Sequence, residues 1–162
     1  MQLSEMSGTE CRELLAKQAM GRLGCALDNQ PYIVPIYFIL EGDSLYCFST
    51  LGQKIEWMRR NPLVCVQADE IRSGVEWKSV LVYGRYEELV EDAGHEQSRR
   101  HAITLFSRRD SWWAGAYAAD EVRKHAGDPT PVIFCVRVTQ LTGLLAEPDA
   151  AQRSIEVAQQ KW

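Results

Sequence analysis

The chain has 162 residues, 46% of them apolar and 25% charged, with 18 Lys and Arg against 22 Asp and Glu for a net charge of −4. That length predicts one domain, spanning residues 1–162, with a core large enough to need no staples. The mix excludes a disordered, collagen-like or fibrous chain. An acidic balance with no basic run longer than two residues argues against nucleic acid and anionic membrane as partners, while a few local Lys and Arg can still hold a small anion.

The five cysteines (Cys11, Cys25, Cys47, Cys65, Cys135) are odd in number and widely spaced, so they cannot all pair and offer no zinc or thiol-exchange motif. The polar, acidic segment from Met1 to Cys11 is no signal peptide, and no apolar run nears the roughly 20 residues that span a bilayer. The expected location is the reducing cytoplasm.

In chain order, Ser7-Gly8-Thr9-Glu10 has the form of a capping box and precedes Cys11, Leu14, Leu15 and Ala19 at helical spacing, predicting a helix that stops at Gly21. Arg22 to Asp28 reads as a strand closed by the turn-forming Asp28-Asn29-Gln30-Pro31. Tyr32 to Leu40 is a run of apolar residues, β-branched and aromatic, and predicts a strand buried on both faces. Gly42-Asp43 turns the chain into a strand over Ser44 to Thr50. Gly52 to Asn61, with Ile55 and Met58 at i, i+3 and Pro62 behind, predicts a short helix.

Leu63 to Ile71 and Glu76 to Leu89 are two more strands joined across Arg72-Ser73-Gly74. Glu91 to Phe106 reads as a helix with Ile103 and Phe106 inward, and Ser107 to Gly127 as a loop with a short helix. Val132 to Leu145 predicts a sixth strand with Val132, Phe134, Val136 and Val138 on one face, and Asp149 to Lys161 a terminal helix. The first three strands lack the crossovers that parallel pairing needs, so the pattern predicts a small antiparallel barrel rather than a parallel sheet.

Much familiar chemistry is absent. There is no dinucleotide-binding or P-loop glycine motif, no nucleophile elbow, and His95, His101 and His125 form no metal-ligand spacing. No metal is expected. Three features resist a purely structural reading. Pro35 interrupts a strand that otherwise looks central and removes a ladder donor, so the strand lies at an edge, at a bulge, or beside something other than a strand. A flat heterocycle fits there, bonding backbone groups next to the gap; a simple edge or bulge competes. Ser49 and Thr50 end a strand, and Lys54 sits in the first turn of the next helix. Two hydroxyls, helix-start amides and an ammonium make a cradle for a phosphate dianion. Arg22, Arg59 and Arg60 can add charge. An ordinary N-cap by Ser49 or Thr50 beside a solvated lysine is the competing reading. Finally, Trp77 and Ser79 share one face of a strand, as an aromatic wall and a hydroxyl or as plain packing, and Gly84 on the same strand implies a bulge or a close backbone approach.

Together these residues resemble the pyridoxamine 5′-phosphate oxidase-like, FMN-binding split-barrel superfamily, nearest its small flavin-nucleotide-binding, nitroimidazole-resistance-like members. The resemblance rests on Gly21-Arg22-Leu23-Gly24, the Tyr32–Phe38 strand with its proline, Leu45-Tyr46 leading to Ser49 and Gly52-x-Lys54, Arg60-Asn61-Pro62, and Trp77-x-Ser79-Val80 to Gly84-Arg85. It implies a mainly β, six-stranded antiparallel split barrel and a homodimer with FMN in grooves at its interface. The implied site takes the phosphate on Ser49, Thr50 and Lys54, with Arg22 a weaker candidate. By the same resemblance the backbone of Val34, Pro35, Ile36 and Tyr37 would run along the ring, and Trp77 and Ser79, the latter where pyridoxamine oxidases have glutamine, would come from a facing strand of the same or the other subunit. Trp112, Trp113 or Trp162 would cover the ring.

The implied activity is that of an FMN-dependent oxidoreductase, a flavoprotein passing electrons from a donor such as NAD(P)H to a small electron-poor acceptor, with no catalytic side chain assigned. The C-terminal Arg-x-His stretch of true pyridoxamine phosphate oxidases is missing, and so is the histidine many nitroimidazole-resistance relatives carry near Phe48. Two alternatives remain: a flavin-binding storage or sensor protein without turnover, and a haem-binding split barrel using one of the three histidines.

Overall fold

The computed structural model describes residues 1–108 and 131–149. After a short strand β1 (Gln2–Glu5), helix α1 (Gly8–Lys17) starts on the capping box read from the sequence: Ser7 accepts from the Glu10 amide while the Glu10 carboxylate accepts from the Ser7 amide. The helix ends at Lys17, short of Gly21, because Gln18 is already extended and the next strand begins at Met20. Strand β2 (Met20–Leu27) turns through Asp28 and Asn29, both at positive φ (49° and 63°), into β3 (Gln30–Glu41). That two-residue turn matches the twist of the strands, so Gln30 and Pro31, expected in the turn, open β3 instead.

Strand β4 (Ser44–Thr50), helix α2 (Gln53–Arg60), β5 (Leu63–Ser73) and β6 (Glu76–Glu88) follow. Helix α3 (Glu96–Arg108) starts five residues later than its charge pattern indicates and turns Ala102 inward, leaving Ile103 50% exposed; Phe106 is half-buried against Phe48. Strand β7 (Pro131–Glu147) closes the described chain. Trp112, Trp113, His125, Trp162, most of the 107–127 segment and nearly all of the proposed terminal helix lie outside the described residues.

All pairings are antiparallel. The order β7-β4-β3-β2-β5-β6 closes back onto β7, giving the six-stranded barrel, and β1 adds a seventh strand on the far half of β7. Strand β7 is long enough to pair with β4 through 131–137 and with β1 through 144–147 on one side, and with β6 along the other. The inner face packs Leu23, Phe38, Leu45, Val66, Val80, Val82 and Phe134 at the barrel axis, with α1 and α2 supplying Leu15, Ile55 and Met58. A second cluster under α3 takes the other face of β4 and β7, burying Ile133 and Cys135 against Leu89 and Ala102. Gly84 meets both sequence expectations. It sits at a register shift between β6 and β7, and a Cβ there would lie 2.5 Å from Val136 Cγ1 and 2.6 Å from the Arg137 carbonyl oxygen.

One expectation fails instructively. The apolar run of β3 is not buried on both faces: Pro35 is exposed and Ile33 is 70% exposed. The outer face of β3, β2, β5 and β6 is not covered by any described element there, so Ile33, Leu63 (64% exposed) and Tyr83 (44%) stand together on it, with Gly24 and Cys65 between them in register.

Candidate functional site

The barrel is split where the sequence places a proline. Strands β3 and β4 pair only from Phe38–Glu41 against Ser44–Cys47. Before Phe38, Val34 to Tyr37 pair with β2 alone (Val34 with Leu23, Pro35 with Arg22). Beyond Cys47, Phe48 to Thr50 pair with β7. Had the ladder continued in register, Pro35 would face Thr50. A residue with no N–H does not extend a ladder, so the two strands diverge and one edge of β3 faces the opening.

Helix α2 starts at the same opening. Its N-cap is Gly52, with no side-chain cap; Ser49 Oγ donates instead to the Thr50 carbonyl at 3.2 Å. The competing N-cap reading is therefore out. The Ile55 and Glu56 amides turn back to the Gly52 carbonyl, and a helix start leaves the Gln53 and Lys54 amides without intrahelical acceptors. Lys54 is half-buried and, among the described residues, has no hydrogen bond or ion pair. Burial lowers its pKa, countered in part by the nearby Cys25 thiol. Burying an ammonium without a partner is costly, and an anion at the opening would relieve that cost. Ser49 and Thr50 end β4, and Lys54 and the α2-start amides follow within five residues, next to the stretch where β3 and β4 no longer pair.

Trp77 and Ser79 lie away from this stretch within one chain. They lie on the outer face of β6, separated from β3 by β2 and β5, roughly 14 Å across the sheet. Ser79 lines a hollow of about 450 Å³ with Met6, Leu81, Leu141 and Thr142, and Trp77 a smaller one with Arg72 and Lys78. A polar chain runs between the two regions. Arg22 donates to Gln67 Oε1 and to Asp69 Oδ2, both at 3.1 Å, and Gln67 Nε2 donates to Asp69 (2.7 Å) and to Ser79 Oγ (3.1 Å). Arg22, opposite Pro35 in register, is thus paired with Asp69. Arg59 is likewise engaged, by Glu88, and Arg60 lies 3.7 Å from Asp28. Gln67 and Asp69 escaped the sequence reading; their one signal is the alternation with buried Val66 and Ala68, which places them outward together.

The two described histidines lie elsewhere. His95 pairs with Asp92 at 2.9 Å and His101 with Glu41 at 2.8 Å, both on the α3 side, and no described group of three or more His, Cys, Asp or Glu can hold a metal. Among the described residues no helix is long and apolar enough to cross a membrane.

The sequence pattern described as pyridoxamine 5′-phosphate oxidase matches residues 7–144. The chain belongs to this family. Within the family's reach, a curated but uncharacterised protein of Rhizobium meliloti is 42% identical over 141 residues, covering 87% of this chain and 93% of that one. The crystal structure of an FAD-binding protein of Mesorhizobium loti is 40% identical, covers 91% of this chain and 99% of that chain, and superposes with a TM-score of 0.73. A 5-nitroimidazole antibiotic resistance protein of Bacteroides thetaiotaomicron shares the split-barrel fold at 21% identity and a TM-score of 0.63, with 89% of each chain covered.

Proposed function

We propose that this family member is a flavoprotein, binding FMN as a homodimer and reducing a small electron-poor acceptor at the expense of a donor such as NAD(P)H. The observation that carries the reading is Lys54, an unpaired, half-buried ammonium at an uncapped helix start, directly after the strand that stops pairing with β3. Lys54, Ser49, Thr50 and the α2 amides would hold the phosphate, and the backbone of Val34 to Tyr37 would bond the polar edge of the ring. Bound flavin supplies the electron transfer; the protein contributes position, exclusion of water and charge. Vitamin-forming oxidation is not proposed, because the sequence has Thr142-Gly143-Leu144 where true pyridoxamine phosphate oxidases carry a C-terminal Arg-x-His stretch.

The relative at 40% identity is named for FAD, and a pyrophosphate would meet the same cradle. Absorbance near 450 nm in the purified protein, with mass spectrometry of the released cofactor, separates FMN from FAD. A colourless protein that takes up no flavin on titration would end the proposal. A carrier without turnover would use the same residues, and repeated NADH- or NADPH-driven reduction and reoxidation would exclude it. Dimerisation is supported by Ile33, Leu63 and Tyr83, apolar and exposed on the face that carries Pro35, and by the two strands that separate Ser79 on β6 from β3 in one chain.

A further inference from the structure

The side-chain polar ties of helix α2 to the sheet lie at one end only. At its C-terminal end Arg59 makes a fork with Glu88 on β6, Nε to Oε2 at 2.8 Å and Nη2 to Oε1 at 2.7 Å, and Tyr86 Oη donates to the same Glu88 Oε2 at 2.7 Å. Tyr86 is itself buried, its ring 5.2 Å from that of Phe134 in the main core. Asn61 Nδ2 donates to the Ala26 carbonyl at 2.9 Å, tying the same end to β2. The N-terminal end, Gly52 to Lys54, has no comparable tie, and the sequence reading had offered Arg59 only as extra charge for a phosphate.

Resting on the phosphate cradle proposed above, we infer that Glu88 is a positioning residue. It holds α2 through Arg59 so that the α2 amides and Lys54 stand at the distance an ester phosphate requires, although Glu88 itself touches no ligand. The physical argument is leverage. A helix of eight residues is about 12 Å long, so a small tilt about its C-terminal anchor shifts its first turn by a comparable ångström-scale amount. Bidentate Arg–carboxylate pairs add geometric definition that a single contact does not, and misplacement of about 1 Å is enough to degrade a charged contact. Ile55 and Met58 are fully buried beneath the helix and keep it seated, so loss of the fork changes its angle without releasing it.

Riboflavin shares the ring of FMN and lacks the phosphate, so the ratio of the two affinities, read by quenching of flavin fluorescence, reports on the cradle alone. Wild-type protein is expected to prefer FMN by tenfold or more. Glu88→Gln is expected to cut that preference about tenfold, with the riboflavin affinity changed less than about threefold and the far-UV circular dichroism retained. The charge swap Arg59→Glu with Glu88→Arg is expected to recover part of the preference. If wild type prefers FMN and Glu88→Gln keeps the full preference, the positioning role is overturned while the cradle stands. If Glu88→Gln loses both affinities equally, the residue serves stability alone and the role is again overturned. A wild-type protein without preference for FMN sinks the cradle, and the positioning role with it.

Discussion

At Lys54 the environment sets both the chemistry and its pH dependence. Burial disfavours the ammonium, so its pKa in the folded protein lies below the ordinary 10.5. Between the two values the unfolded chain binds more protons, hence the free protein gains stability from this group as pH rises through that window. Anion affinity runs the opposite way, since it needs the charged form. FMN binding is therefore expected to weaken with rising pH before an ordinary lysine would lose its proton, and Lys54→Arg, which stays charged, is expected to flatten that profile in a titration series from pH 7 to 10.5. Lys54→Glu is expected to weaken FMN binding at least a hundredfold. Gly84 offers a separate test at the same scale. An added methyl would press on the Arg137 carbonyl, which is backbone and cannot swing away, so Gly84→Ala should cost about 1–3 kcal/mol in urea denaturation.

Elements differ in how far neighbouring residues determine them. Strand β4 is readable to its ends, because Gly42-Asp43 and the Leu51-Gly52 pair bracket a dense β-forming run. The start of α1 is equally local, and Ser7→Ala should destabilise the fold by about 1 kcal/mol, read as a lower urea midpoint, through loss of the capping box. Strand β1 is the opposite case: Gln2–Glu5 are exposed throughout, and only pairing with Leu144–Glu147, some 140 residues away in sequence, makes them a strand. The candidate site divides the same way. The opening in the ladder follows from one residue type, since Pro35 cannot donate. The links Arg59 to Glu88 and Gln67 to Ser79 join residues 29 and 12 apart on different elements, and nothing local in the sequence announces them.

For the molecule as a whole, the outward face of β3, β2, β5 and β6 poses the main problem. A patch containing Ile33, Leu63 and Tyr83 is an expensive surface for a monomer, and in the proposed homodimer a second copy covers it, with Trp77 and Ser79 outward on the same sheet. Ile33→Asp with Leu63→Asp is expected to halve the mass in light scattering. Complementation then decides whether one site draws on two chains. Lys54→Glu removes the cradle, and Ser79→Arg is expected to obstruct the facing wall, so each homodimer should bind FMN poorly. In a mixed dimer, the intact Lys54 of one chain and the intact Ser79 of the other would form one complete site if the two residues come from different subunits. Binding should then return to one site per mixed dimer, measured by flavin fluorescence on heterodimers isolated with two affinity tags. If Lys54 and Ser79 served the same site within a single chain, each chain of the mixed dimer would still carry one defect and no binding would return.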